Sequence, residues 1–345
     1  MDDSLLSITD SGLYCEAGNF YVDPWRPVER ALITHSHSDH ARPGMGSYLT
    51  ASPGAQLLRA RAGADAGIST VAYGETVRLG DASISFHPAG HILGSSQIRV
   101  ESRGLVWVVS GDYKTAPDST CAQFEPLRCH GFVTEATFAL PIYRWNPTEA
   151  VFAEINQWWQ SNRAQGKASV LYAYALGKAQ RVLSGIDATI GPIFTHGAVE
   201  RITQIYRDCG VALPPTQHAL TAAKKDLSGS LILAPPSASG STWTRRFGDF
   251  SPAFASGWMQ IRGARRRKAI DRGFVLSDHA DWPGLLSVIR ATNAETIWAT
   301  HGQTQPLVRF LTERGLNACA IQTEFEGELD QQQTSASDAD EAANI

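Results

Sequence analysis

Four potential metal ligands fall within six residues in His35-Ser36-His37-Ser38-Asp39-His40, directly after the apolar run Ala31-Leu32-Ile33-Thr34. Donors at that density cannot all share one helix face or one strand face, so the segment reads as a loop leaving a strand, with its side chains fanned about two metal ions. Imidazole and carboxylate together suit zinc, with manganese or iron as alternatives. Three separate residues join them: His91 in Pro-Ala-Gly-His-Ile-Leu-Gly, Asp112 in Val-Val-Ser-Gly-Asp-Tyr, and His301 in Trp-Ala-Thr-His-Gly. Each follows a strand-like stretch, at once or after a short turn. Ligands at strand ends share one edge of a sheet, where a site forms across large sequence gaps. The chemistry open to such a site is metal-assisted hydrolysis.

The elements that must position these residues are short strands over the first 140 residues, expected around 5–8, 12–15, 20–22, 31–34, 83–87, 97–100, 106–109 and 131–134. A helix-start signal follows in Asn146-Pro147-Thr148-Glu149, with Asn146 as N-cap, Pro147 at the first helical position and Glu149 at the third. Val151, Phe152, Ile155, Trp158 and Trp159 mark its apolar face. Strands (168–174, 192–195, 231–234) then alternate with helices (178–186, 199–208), the pattern of a second α/β domain. After Gly273 the chain returns to strand (274–276), helix (285–290), strand (296–300) and helix (307–314). The tail from about Gln331 is expected to be disordered.

With 345 residues, 43% hydrophobic and 19% charged, the chain has the composition of a soluble globular protein with room for two domains. No apolar run approaches the ~20 residues a membrane span needs. The acidic Met1-Asp2-Asp3-Ser4 start is unlike a secretory signal, so a cytoplasmic location is expected. The five cysteines are scattered, without C-x-x-C spacing, and read as free thiols in a reducing compartment. The net charge is −4, but seven acids and no Lys or Arg follow from Glu324 onward. The remaining body is therefore weakly basic. Within it Arg262, Arg265, Arg266, Arg267, Lys268 and Arg272 form a run suited to phosphate. There is no G-x-x-x-x-G-K-[ST], so ATP binding is not indicated. His87, His130, His196 and His218 read as structural.

The order H-x-H-x-D-H, then a His, an Asp and a final His, resembles the metallo-β-lactamase superfamily. The resemblance implies a four-layer αβ/βα fold holding two metals. His35, His37 and His91 would bind one, Asp39, His40 and His301 the other, and Asp112 would bridge them. Asp23, in Tyr-Val-Asp-Pro, matches the family's first motif, an outer aspartate that orients ligands. Asp112 and His301 lie 189 residues apart, and the α/β segment between them is similar to the inserted domain of the β-CASP nuclease branch. Thr134-Glu135-Ala136-Thr137, Leu276-Ser277-Asp278-His279-Ala280-Asp281 and Thr300-His301-Gly302 match that branch's motifs. Tyr174-Ala175-Leu176-Gly177-Lys178-Ala179-Gln180 resembles its F-A-L-G-R-A-Q, a strand–glycine–helix turn whose N–H groups suit a phosphate. The short insert, with Ala234-Pro-Pro-Ser, Ser256-Gly-Trp-Met, Arg265-Arg-Arg and Gly273-Phe-Val-Leu-Ser-Asp-His-Ala-Asp-Trp, narrows the resemblance to bacterial ligase-associated DNA exonucleases, over residues 5 to 325.

On this resemblance the first domain is 1–145 and 264–330, the inserted domain 146–263 and the acidic tail 331–345. The implied function is a DNA exonuclease with two Zn2+ ions, or Mn2+, acting in repair beside an ATP-dependent DNA ligase and an Lhr-type helicase, with no membrane partner. A hydroxide between the ions would attack phosphorus. Asp39, His279 and Glu135 are the catalytic candidates: His279 protonates the leaving oxygen and Glu135 holds its tautomer. Lys178, Arg265, Arg266, Arg267 and Lys268 would grip the nucleic-acid backbone without reading sequence. Trp243 and Trp258 would stack on bases or, more simply, pack in the core. An RNA nuclease of the same branch would use the same ligands. A glyoxalase-type ester hydrolase would leave the insert and the arginine run unexplained, and a non-catalytic nucleic-acid binder would lack ligands.

Overall fold

The computed structural model describes residues 4–261 and 270–323. The chain forms a mixed α/β structure in two compact units, one from Met1–Arg144 and His279–Gln331, the other built on Trp145–Asp278.

The first unit holds two sheets. One runs in sequence order through β1 (Ser7–Thr9), β2 (Gly12–Cys15), β3 (Phe20–Val22), β4 (Arg30–Ile33), β5 (Ser47–Ala51) and β6 (Ile68–Val71), parallel from β3 onward. The other contains β7 (Thr76–Leu79), β8 (Ala82–Pro88), β9 (Ser96–Ser102), β10 (Leu105–Val109) and β11 (Gly131–Ala136), joined by β18 (Thr296–Gly302) and β19 (Asn317–Ala320). Its order is β19-β18-β11-β10-β9-β8-β7.

Side-chain alternation makes the layers. Leu32 of β4 joins Phe20, Phe86, Val100 and Trp107 in a core shared by the two sheets. Its neighbours Ala31 and Ile33 point the other way, to Tyr48 and Leu58 of α1 (Ala55–Ala62). In β10, Trp107 and Val109 enter the shared core. Val108 instead joins Leu285 and Ile289 of α5 (Trp282–Thr292) and Leu307 and Leu311 of α6 (Thr304–Thr312). The first unit is thus layered helix, sheet, sheet, helices.

The second unit carries an all-parallel sheet of β12 (Ala168–Tyr172), β13 (Ile193–Thr195), β14 (Gln217–His218), β15 (Leu231–Ala234), β16 (Phe250–Ala255) and β17 (Arg272–Phe274), in the order β14-β13-β15-β12-β16-β17. One face packs on α2 (Thr148–Ala164) and α3 (Lys178–Gly185) through Ile155, Trp159, Leu171, Val182 and Leu233. The other buries Val170, Tyr172, Ile232 and Phe254. Both faces of a parallel sheet must be covered, which is why these strands are near-continuous in apolar residues. Trp159 is fully buried, and its indole N–H donates to the Gly229 carbonyl at 3.1 Å. Trp159→Ala is expected to cost about 3–5 kcal/mol, read as a lowered urea midpoint; a shift worth under ~1 kcal/mol would contradict this packing.

Three details differ from the sequence expectations. The N-cap of α2 is Pro147, not Asn146, because Pro147 is still extended (ψ 135°) and the helix starts one residue later. The expected strand at 274–276 is β17, over Arg272–Phe274, and it pairs with β16, so this stretch runs with the second unit and the chain rejoins the first at His279. β5, β6, β7, β14, β16, β19 and α1 have no counterpart among the sequence expectations. None of the five cysteines is joined in a disulfide.

Candidate metal centre

C-terminal strand ends of the two sheets collect the donors. β10, β11 and β18 run parallel, and β8 is antiparallel to β9, itself antiparallel to β10, so β8, β10, β11 and β18 share a direction. His91, Asp112, Glu135 and His301 therefore all sit at C-terminal strand ends, and the His35–His40 loop leaves the same end of β4. Gly111 lets Asp112 turn in: its φ is +56°, and a Cβ there would lie 2.7 Å from the Thr34 side chain. His301 sits on a bulge. Thr300 pairs with Glu135 and Gly302 with Ala136, leaving His301 unpaired at φ 54°. A bulge of this kind re-aims one side chain without ending the strand. Gly302 follows at φ +71°, where a Cβ would strike the Thr137 backbone at 2.5 Å.

The donors form two sets that meet at Asp112. His35 Nε2 and His91 Nε2 lie 3.1 and 3.0 Å from His37 Nδ1, and 3.6 and 3.8 Å from Asp112 Oδ2. On the other side, His40 Nε2 lies 3.6 Å from Asp112 Oδ1 and 3.7 Å from Asp39 Oδ2. Asp39, His40 and His301 offer donor atoms within 4.8 Å of one another. Tetrahedral zinc with bonds of about 2.0–2.1 Å spaces its donors ~3.3 Å apart, in the middle of these values. His40 Nε2 and Asp112 Oδ1 are also buried without a hydrogen-bond partner among the described residues. Buried polar atoms left so are costly unless something else satisfies them, and a cation would. The residues present fit metal ions.

Outer contacts fix these rings. Asp23 accepts from the Thr34 N–H at 2.8 Å, from the Thr34 hydroxyl at 2.5 Å, and from His40 Nδ1 at 2.7 Å. Holding Nδ1 leaves Nε2 of His40 as its donor atom. The Thr34 hydroxyl, having donated to Asp23, accepts from His35 Nδ1 at 3.1 Å and orients that ring likewise. Asp112, Glu135 and His279 make a third close group. Glu135, 1% exposed, accepts from the Tyr113 N–H at 2.7 Å and from His279 Nδ1 at 2.8 Å. Asp281, two residues on, caps α5 by accepting from the Gly284 N–H.

Electrostatics in the metal-free protein reflect the same arrangement. Burial, helped by the His40 cation, holds the imidazoles of His35 and His301 below their ordinary range, His301 at about 4. Burial alone would also lower His40, but the Asp112, Asp39 and Asp23 carboxylates push it up to about 10. Burial raises Asp112 to about 7, against the pull of His40. The carboxylates thus gather a proton where a cation fits. Between about pH 4 and 6.5 the unfolded chain protonates His301 while the folded chain does not, and burial acts in the same direction at His35, His87 and His196. Asp112 acts the other way, and His40 is charged in both states. With the lowered histidines outnumbering the raised carboxyl, stability of the chelated protein should fall as pH drops through this window; a urea midpoint that rises from pH 6.5 to 5 would contradict this.

Not every expected site residue lies here. Lys178 does not offer a surface grip for phosphate: it is fully buried, its ammonium 3.5 Å from Asp278 and 4.7 Å from the Tyr174 ring centre. The turn before it is also engaged, since the Gly177 N–H donates to Gln180 Oε1 at 2.9 Å. Arg265, Arg266, Arg267 and Lys268 lie outside the described residues. Trp243 and Trp258 pack against the core of the second unit. His87, His130, His196 and His218 lie outside these donor sets and bond to Ser85, Val106, Ala198 and Leu220 respectively. Sequence reasoning missed Thr34, Arg181, Asp278 and the buried Lys114–Asp118 pair. Thr34 and Asp278 had local signals, the one between the strand and the first donor and the other directly before His279.

Fold and site together define a mixed α/β protein with buried imidazole and carboxylate groups able to hold metal ions. No family model matches the chain. Over 321 residues it is 31% identical to a probable DNA ligase of Opitutus terrae, covering 92% of this chain and 31% of that protein. It is 26% identical over 225 residues to a ribonuclease of Thermus thermophilus, covering 56% of this chain and 49% of the relative. The chain thus spans about three-tenths and about half of the lengths of these curated relatives. A solved structure of a protein of unknown function from Enterococcus faecalis has a similar fold, with a TM-score of 0.59, 11% identity, and coverage of 86% of this chain and 79% of that one. Among the described residues no helix is long and apolar enough to cross a membrane.

Proposed function

We propose that the chain is a metal-dependent DNA exonuclease of the metallo-β-lactamase fold, with the second unit as its β-CASP insert. The observation that carries the reading is the position of Asp112, with Oδ2 toward His35 and His91 and Oδ1 toward His40, and the Glu135–His279 hydrogen bond beside it. His35, His37, His91 and Asp112 would hold one ion, and Asp39, His40 and His301, with Asp112 beside them, the other. Zinc suits these donors and manganese is the alternative. Bound there, the ions would lower the pKa of a water and neutralise charge developing at a phosphodiester.

The chain's own residues supply the rest. Asp23 keeps His40 in its ligating tautomer. Glu135, accepting from Nδ1 of His279, stabilises that ring as an imidazolium whose Nε2 proton passes to the leaving oxygen as its bond to phosphorus breaks. The Arg265–Lys268 run is assigned to the nucleic-acid backbone on its charge alone.

A nucleic-acid substrate is supported by the names of both relatives, and DNA by the longer match to the one named a probable DNA ligase. A repair role beside an ATP-dependent ligase, with a helicase opening the substrate, belongs to the same reading. The test is degradation of end-labelled DNA and matched RNA by metal-loaded protein. Trimming of DNA, lost in the Asp39→Ala/His40→Ala variant, is the expected result and gives the polarity. Cleavage of RNA alone would move the protein to RNA processing, and cleavage of neither would sink the nuclease reading.

A further inference from the structure

The segment Tyr174–Gln180 does not present itself to a phosphate, yet it carries a buried set of charges. Lys178 opens α3 with its Nζ 3.5 Å from Asp278 Oδ2. Arg181, three residues on and so on the same helix face, has Nη1 3.5 Å from Asp278 Oδ1, and the same nitrogen donates to the Ser277 carbonyl. Its Nη2 donates to Thr148 Oγ1 at 3.0 Å. Lys178, Arg181 and Asp278 are each under 5% exposed. Gln180 anchors the base of the arrangement, since its Nε2 donates to the Ala175 carbonyl and to Thr203 of α4 (Gly197–Asp208), both at 3.0 Å.

An apolar set of similar volume would be as stable as buried charges, so stability alone does not account for them. What they hold is specific: the carbonyl of Ser277 and both oxygens of Asp278, the two residues directly before His279. On its other side, His279 is held by Glu135 at 2.8 Å and, through the Ala280 N–H, by the Tyr113 carbonyl at 2.7 Å.

We infer that Lys178, Arg181 and Asp278 form a buried clamp that positions His279 for proton donation to the leaving oxygen. This rests on the hydrolase reading above. Acting on His279 through the chain before it, the clamp's members are positioning residues. Placement errors of about 1 Å cost on the order of 10²-fold in rate, so small losses within the clamp register at the proton-transfer step while binding is spared.

The test compares two substrates of the metal-loaded full chain: a DNA oligonucleotide, whose leaving alkoxide needs a proton, and the p-nitrophenyl ester of thymidine 5′-phosphate, whose leaving group does not. His279→Ala sets the reference and should lose far more on DNA than on the ester. Arg181→Lys and Lys178→Met should follow it, with kcat on DNA down by about 10-fold or more, ester turnover within about 3-fold, and KM and metal content unchanged. Melting curves establish that each variant is folded; Arg181→Lys keeps a cation in place should Lys178→Met fail to fold. In zinc-loaded protein the downfield Nδ1–H proton resonance of His279, assigned by its loss in His279→Ala, should broaden or vanish in the clamp variants while those of the ligand histidines persist. Equal losses on both substrates in folded clamp variants, or no loss on DNA, would overturn the clamp. If His279→Ala itself loses equally on both, the proton-donor reading fails instead.

Discussion

Asp112→Asn is expected to abolish phosphodiester hydrolysis, with kcat falling by on the order of 10³ or more. Asp112 is the residue common to both donor sets, with Oδ2 toward His35 and His91 and Oδ1 toward His40. Asparagine keeps the volume but removes the charge and replaces one oxygen with an N–H donor. Whichever way the amide turns, one donor set loses its carboxylate and faces a group that repels a cation. Metal content measured on the purified variant should drop from two ions per chain toward one, with the circular dichroism of the folded protein retained. Near-normal hydrolysis at full metal content would contradict the shared position of Asp112.

Glu135→Gln should be nearly as severe for a different reason. Its two oxygens accept from the Tyr113 N–H and from His279 Nδ1. Glutamine can still satisfy Tyr113, but its NH2 then faces His279 and requires an acceptor there, forcing the wrong tautomer, and the negative charge that stabilises the imidazolium is gone. Acid–base catalysis supplies roughly 10²–10⁴ in rate, and single-turnover cleavage of DNA should fall within that range while metal content stays at two. A loss under ~3-fold would remove Glu135 and His279 from the proton path.

The candidate donors that the fold brings together could be picked out because their chemistry is dense and locally framed. His35–His40 follows an apolar strand, Asp112 follows another, and His301 lies at the end of a third. What could not be read was how they turn inward. The bulge that aims His301 depends on pairing between β11 and β18, whose residues are far apart in the chain. Lys178 was expected at the surface because lysine usually is; its burial is decided by Asp278, 100 positions later. β7 and α1 escaped notice because little of them is buried: β7 has no buried residue, and α1 buries only Leu57 and Leu58. Neither has the strong periodicity that marks a core-facing element. The return to the first unit was placed too early because a strand–loop pattern does not say which sheet the strand will join, and β17 joins β16.

The measurement that bears most directly on the central claim is a metal titration of chelated protein, following cleavage of end-labelled DNA as zinc or manganese is added back from zero to two ions per chain. With Asp112 between the His35–His37–His91 group and His40, the proposed two-metal reading predicts no cleavage without metal, and activity that is complete only at the second equivalent and absent in Asp112→Asn at every ratio. Cleavage by metal-free protein, or none at two bound ions, would contradict it.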